Sequence, residues 1–208
     1  RYWRDWSSDV CSSDLSGAGQ SPIAFADARG PCFIRGVNWI PEGLWPRDRT
    51  PERVRARLVA LRDAHVNMIR VWGGGRYEPD WFYEACTEMG IAVWQDFMFS
   101  CALYPEEEPI HSLVEAEARI HVARLARHPC VVLWCGGNEC VWAHDNWGFK
   151  DRLAPGQTWG RGYYLETLPR VVGEVDPSRP YWPNSPWSGV GAAQAPPAPA
   201  PDGPRAPD

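Results

Sequence analysis

Short apolar runs alternate along this chain with amphipathic stretches of helical period, and that alternation limits the fold more than any other feature. Cys32–Trp39 (CFIRGVNW), Val66–Trp72 (VNMIRVW), Ile91–Phe97 (IAVWQDF) and Cys130–Cys135 (CVVLWC) read as strands that are apolar throughout. Arg179–Asn184 (RPYWPN) reads as a fifth strand, weakened by its prolines. Between them, Thr50 before Pro51 marks a helix start, and Val54, Leu58, Leu61 and Ala64 lie on one face of the helix that follows. Pro79 opens a second helix, with Phe82, Ala85 and Met89 on its buried face and Gly90 as its stop. Ser112 and Glu115 have the spacing of a capping box ahead of Val114, Ala118, Val122 and Leu125. A last helical pattern spans Tyr164–Val175, opened or interrupted by Pro169. Strands apolar on both faces and separated by helices are the mark of parallel βαβ units.

Two parallel architectures fit this pattern. A doubly wound sheet usually carries a glycine-rich phosphate turn after its first strand, and none is present. Polar residues gather instead at the C-terminal ends of several strands: Asn38 and Trp39, Arg70 and Trp72, Gln95 and Asp96, Asn138 and Glu139. That distribution favours an α/β fold of the (β/α)8 TIM-barrel type, whose catalytic groups sit at the C-terminal ends of the strands. With 208 residues the chain is shorter than the roughly 250 of a full barrel, so about the first five β/α units are expected.

Neither end reads as fold. Asp5–Leu15 (DWSSDVCSSDL) resembles, letter for letter, the translated read-through of a sequencing adapter, so residues 1–20 are expected to be a non-native leader. Residues 192–208 (AAQAPPAPAPDGPRAPD) have a Pro/Ala composition that buries no core and predicts a disordered tail. The expected domain is residues 21–191.

Charge and cysteine usage narrow the function. A net charge of -5 without a Lys/Arg run gives no footprint for nucleic acid, and no apolar stretch reaches the ~20 residues of a membrane span. The seven cysteines include no C-x-x-C pair, and the five-residue spacing of Cys130, Cys135 and Cys140 matches no common zinc pattern. They are expected to be buried reduced thiols, which favours a cytoplasmic protein and predicts no metal. Thirteen tryptophans exceed what a core of this size needs, and aromatic faces stack well on sugar rings. Most of them still serve as ordinary core or interface residues.

The chemistry centres on WCGGNEC, Trp134–Cys140. Glu139 follows an apolar strand, with Trp134, Trp142 and Trp147 near it in sequence. An apolar surround disfavours the charged form of a carboxyl group, which suits a general acid. Asn138 beside it can donate to a sugar hydroxyl or to a carboxylate. Read alone, this is also what an ordinary Asn-Glu loop looks like.

Five blocks together are more specific: GVNWIP (36–41), NMIRVWGGGRYE (67–78), GIAVWQDFMFSCALYP (90–105), WCGGNE (134–139) and DPSRPYWPNSP (176–186). In order and approximate spacing they resemble the β-mannosidases of glycoside hydrolase family 2, from about residue 23 to about residue 190. The resemblance implies a (β/α)8 catalytic domain and a retaining hydrolysis of terminal β-D-mannose, with no cofactor. It implies that Glu139 is the acid/base and Asn138 binds the sugar 2-hydroxyl, while Trp72 and Trp147 line the subsite for the terminal mannose. Trp39 and Asp96 are further candidates for the substrate site, and Arg70 for orienting polar groups or making a structural ion pair. The family's nucleophile, a second Glu after the seventh strand, has no counterpart here, nor do its β-sandwich domains. The chain alone is therefore expected to be inactive. Gly137 stands where the family usually has Asn, and Gly43-Leu44-Trp45 departs from the usual loop, which leaves substrate contacts there open. The competing readings are another family 2 exo-glycosidase (β-galactosidase, β-glucuronidase or hexosaminidase type) and a non-catalytic sugar-binding fragment.

Overall fold

The computed structural model describes residues 25–27, 30–43 and 45–187; the expected leader and tail, with Trp3, Trp6, Cys11 and Leu44, lie outside them. A short antiparallel pair, β1 (Ala26–Asp27) and β2 (Gly30–Pro31), precedes the main sheet. Then come β3 (Gly36–Trp39), α1 (Pro51–Asp63), β4 (Met68–Val71), α2 (Asp80–Met89), β5 (Ala92–Asp96), α3 (Ile110–Leu125), β6 (Val131–Cys135), α4 (Cys140–Asn146), α5 (Leu168–Val175) and β7 (Tyr181–Trp182). Strands β3 to β7 form one sheet in chain order, every neighbour parallel. This is an α/β fold, as the alternation predicts.

The strands are shorter than the apolar runs that announce them. Cys32–Arg35 lies outside β3, and Arg179–Asn184 contracts to Tyr181–Trp182. Pro180 and Pro183 flank that pair, and proline supplies no ladder N–H. The first helix starts as expected: Thr50 Oγ1 accepts from Arg53 N–H at 3.3 Å, and Val54 and Leu58 are fully buried. Gly90 closes α2 in the left-handed region, φ 67°, which costs glycine little. The capping box is corrected. Helix α3 begins at Ile110, so Ser112 already lies inside its first turn and donates its hydroxyl to Glu108 at 2.6 Å. Glu115, freed from capping, pairs with Arg119 and Arg170.

Among the described residues, helices cover one face of the sheet only. Val54 and Leu58 of α1, Phe82, Tyr83 and Cys86 of α2, Ala118, Val122 and Leu125 of α3, and Leu168, Val171 and Val172 of α5 share one core with Trp39, Ile69, Val71, Val93 and Trp134. The opposite face carries a smaller group, Met68, Ala92, Val132 and Leu133, with Phe25, Ile34, Trp94 and Trp182 against it. A doubly wound sheet would carry helices on both faces. Side chains alternate with the period of two that a strand imposes, so Arg70, Trp94 and Asp96 share the uncovered face while Ile69, Val71, Val93 and Gln95 point to the helices.

Candidate active site

The uncovered face ends in a connected polar cluster at the C-terminal ends of the strands. Arg70 of β4 reaches across to Asp96 of β5, donating from Nη2 at 2.8 Å and from Nε at 3.3 Å. Gly73 N–H, at 3.0 Å, and the Trp94 indole, at 2.9 Å, also donate to the Asp96 carboxylate. Burial pushes the Asp96 carboxyl up, and these donors, Arg70 foremost, pull it back. Arg70 lies over the Trp94 ring at 5.2 Å and donates further to Asn38 Oδ1 at 3.4 Å and Asn138 Oδ1 at 2.9 Å.

Asn138 links that ion pair to Glu139. Because Arg70 has only donors, it fixes the Asn138 amide with its oxygen toward β4 and its nitrogen toward Glu139. Asn138 Nδ2 then donates to Glu139 Oε2 at 3.2 Å. The backbone holds the pair from both sides: Asn138 N–H donates to Phe99 O at 2.9 Å and Glu139 N–H to Ser185 O at 2.8 Å. Asn138 thus bridges the chain after β5 at Ser100 and the chain after β7 at Ser185. Glu139 itself sits at φ 56°, a left-handed conformation unusual for a side chain of its size, and immediately precedes α4 as its N-cap residue.

Two residues that the sequence did not single out belong here. Cys101, half-buried at φ 49°, donates its thiol hydrogen to Glu139 Oε2 at 3.3 Å, and Ser100 Oγ approaches its sulfur at 3.4 Å. Cys86, Cys130, Cys135 and Cys140 are buried as expected, but Cys101 and Cys32 are only partly so. The block around Cys101 was legible, its thiol's partner was not, since Cys101 and Glu139 are 38 residues apart.

Among the described residues the cluster unites Glu139, Asn138, Asp96, Arg70 and Asn38 but not the expected tryptophans. Trp39 is buried against Phe82 on the helix side and donates to the buried Glu78 at 3.2 Å, where Arg49 also binds at 2.7 Å. Trp134 likewise faces the helices, its indole 2.9 Å from Asp176, so it forms no apolar wall around Glu139. Gln95 bonds Tyr83 at 2.6 Å behind the sheet. Trp72 packs over the Gly73–Gly75 turn, where a side chain at Gly74 would strike its ring. Trp147, 42% exposed at the end of α4, meets Phe149 edge-on. A Cβ at Gly137 would lie 2.9 Å from Phe99 Cβ, so an Asn there requires Phe99 to shift. Among the described residues no group of three or more His, Cys, Asp or Glu side chains is placed to hold a metal ion, and no helix is long and apolar enough to cross a membrane.

Solved structures share this parallel α/β fold. The chain superposes on the crystal structure of a β-D-mannosidase from Dictyoglomus thermophilum with a TM-score of 0.75 and 43% identity, covering 84% of this chain and 21% of that one. A β-glucuronidase from Bacteroides uniformis, at 20% identity and a TM-score of 0.61, shares the fold alone. No family model matches the sequence. Sequence comparison narrows the likeness further. The chain is 40% identical over 163 residues to β-mannosidase of Bos taurus, covering 77% of this chain and 18% of that protein. It is 39% identical over 163 residues to β-mannosidase B of Emericella nidulans, covering 74% of this chain and 19% of that protein. Over most of its length the chain is thus similar to a segment of β-mannosidases, and it spans about a fifth of the length of the relatives it matches.

Proposed function

We propose that this chain is the acid/base-bearing part of a retaining exo-β-mannosidase, with residues 21–191 supplying the first five units of a (β/α)8 barrel. The observation that carries the reading is Glu139, held at the strand mouth with Asn138 and the Arg70–Asp96 pair beside it. A second carboxylate, from a longer polypeptide containing this segment, attacks the anomeric carbon of a terminal β-mannose. Glu139 gives its proton to the departing glycosidic oxygen as the C–O bond breaks. It then takes a proton from water, whose oxygen displaces the second carboxylate and regenerates it. Retention of this kind places the two carboxyl groups ~5–5.5 Å apart. As the family resemblance implies, Asn138 binds the sugar 2-hydroxyl, exchanging its present contact with Ser100 and Cys101 for the sugar, and Trp72 and Trp147, outside the polar cluster, line the mannose subsite. Asp96 acts through Arg70, fixing the amide that faces the acid.

The test is hydrolysis by the full-length protein that contains this segment. It is expected to cleave p-nitrophenyl β-mannoside in preference to the β-galactoside, and Glu139→Gln should lower turnover on oligosaccharide ~10²–10⁴-fold, the usual worth of a general acid/base. Preference for the β-galactoside, or a Glu139→Gln enzyme near wild type, would sink the reading.

A further inference from the structure

We infer that Cys101 is a positioning residue for the acid/base: its thiol holds Glu139 Oε2 and so makes Oε1 the oxygen that carries the transferable proton. The inference rests on Glu139 being the acid/base. Residues 99–101 run beside residues 137–139 as a continuation of the sheet, since Asn138 N–H donates to Phe99 O and Cys101 N–H donates to Asn138 O, both at 2.9 Å. That ladder, with both Cys101 and Glu139 in left-handed conformations, turns the two side chains toward each other.

The hydrogen-bond inventory sets the direction of the contact. The sulfur of Cys101 receives Asn138 Nδ2 at 3.3 Å and Ser100 Oγ at 3.4 Å, so its acceptor capacity is taken up by neighbours. Its single hydrogen is left for Glu139 Oε2, 3.3 Å away. Asn138 Nδ2 donates to the same oxygen at 3.2 Å. Two donors therefore converge on Oε2. When Oε1 releases its proton to the leaving oxygen, the charge that develops on the carboxylate is met at Oε2 by groups already in place. When water later returns a proton to Oε1, the same two donors remain. The thiol keeps its own hydrogen through both steps.

The contribution depends on how much the leaving oxygen needs a proton. In the full-length protein, Cys101→Ala should lower kcat/KM for phenyl β-mannoside about tenfold more than for 2,4-dinitrophenyl β-mannoside, a fraction of what losing the whole acid costs. Cys101→Ser, which restores a donor at the same place, should recover most of the difference. A purely structural role would lower both substrates together. The bond has its own readout in the infrared, where the S–H stretch is clear of other protein bands. The band removed by Cys101→Ser should lie at a hydrogen-bonded frequency and rise toward that of a free thiol in Glu139→Ala. Equal losses on the two substrates, or an S–H band indifferent to Glu139→Ala, would overturn the inference. Wild-type protein inactive on every β-mannoside would overturn the mannosidase reading, and the catalytic part of this one with it, while the infrared arm still judged the bond.

Discussion

On the helix side of the sheet, Ile69, Val71, Val93 and Trp134 meet the apolar faces of four helices, and their polar atoms find partners within that layer. On the other side the same strands carry Arg70, Trp94 and Asp96, joined into one network that ends on Glu139. One residue step along a strand separates the two environments. The helix side is stabilised by volume and apolar area, which adjust poorly to loss. The mouth is held by directional bonds among charged groups, whose burial costs free energy unless every partner is present.

The sharpest test of that contrast compares two variants of similar expected cost. Phe82→Ala, which empties a fully buried site between Trp39 and Tyr83, should destabilise the fold by about 3–5 kcal/mol in denaturant titration. Arg70→Met should cost about the same 3–5 kcal/mol, because it strands the buried Asp96 carboxylate. Adding Asp96→Asn to Arg70→Met should then recover about half of the loss, because the stranded charge is gone. If the double variant is no more stable than Arg70→Met, the mouth is held by packing after all and the contrast fails.

A smaller effect asks whether polar groups on the helix side behave like those at the mouth. Trp134→Phe keeps a ring beside Phe97 but removes the indole N–H from Asp176. Asp176 keeps Arg179 at 2.7 Å and Ser178 at 2.8 Å, so the expected loss is only about 1–2 kcal/mol by thermal or chemical unfolding. A loss as large as that of Arg70→Met would mean that the helix side also depends on a brittle charge network.

The smallest effect comes from the exposed outer surface, away from both faces. Glu115 is hydrogen-bonded by Arg170 and Arg119, which bring its pKa from 4.5 down to about 2. The folded carboxylate therefore binds a proton less readily than the unfolded one. The stabilisation is complete above the unfolded value and is lost as pH falls from 4.5 toward about 2. Thermal melts across that window should fall less steeply in Glu115→Gln than in wild type, and added salt should shrink the difference. Parallel slopes for the two proteins would remove this network from the account.

The order of strands and helices was legible because it rests on local pattern: apolar runs, the Thr50 cap and the Gly90 stop each act through their own few residues. The site was half legible. Arg70, Asp96, Asn138 and Glu139 could be proposed from their places at or just past the C-terminal ends of strands, and the structure brings these four together. Trp39 and Gln95 follow the same rule yet face the helices, because adjacent strand residues point to opposite faces. Counting parity from Arg70 and Asp96 would have separated them. Ser112 failed as a cap because Glu108, just ahead of the helix, competes for it. Cys101 was out of reach, since its meaning depends on a turn of the chain that brings residues 38 positions apart into contact.

The backbone of Glu139 also bears on how such a position evolves. A left-handed conformation costs a residue with a side chain about 1–2 kcal/mol that glycine would not incur. Replacement by glycine would thus relieve local strain while deleting the proposed acid. On the proposed acid/base role, stability and catalysis pull this codon in opposite directions, and selection for the reaction would be what keeps glutamate there. In a duplicated copy freed from that selection, thermodynamics and mutation would both favour its loss, and the fold would survive it. On the proposed role, a relative with this sheet intact and glycine or asparagine at this position would be a descendant that has given up hydrolysis, with its strand mouth free to be recruited for binding.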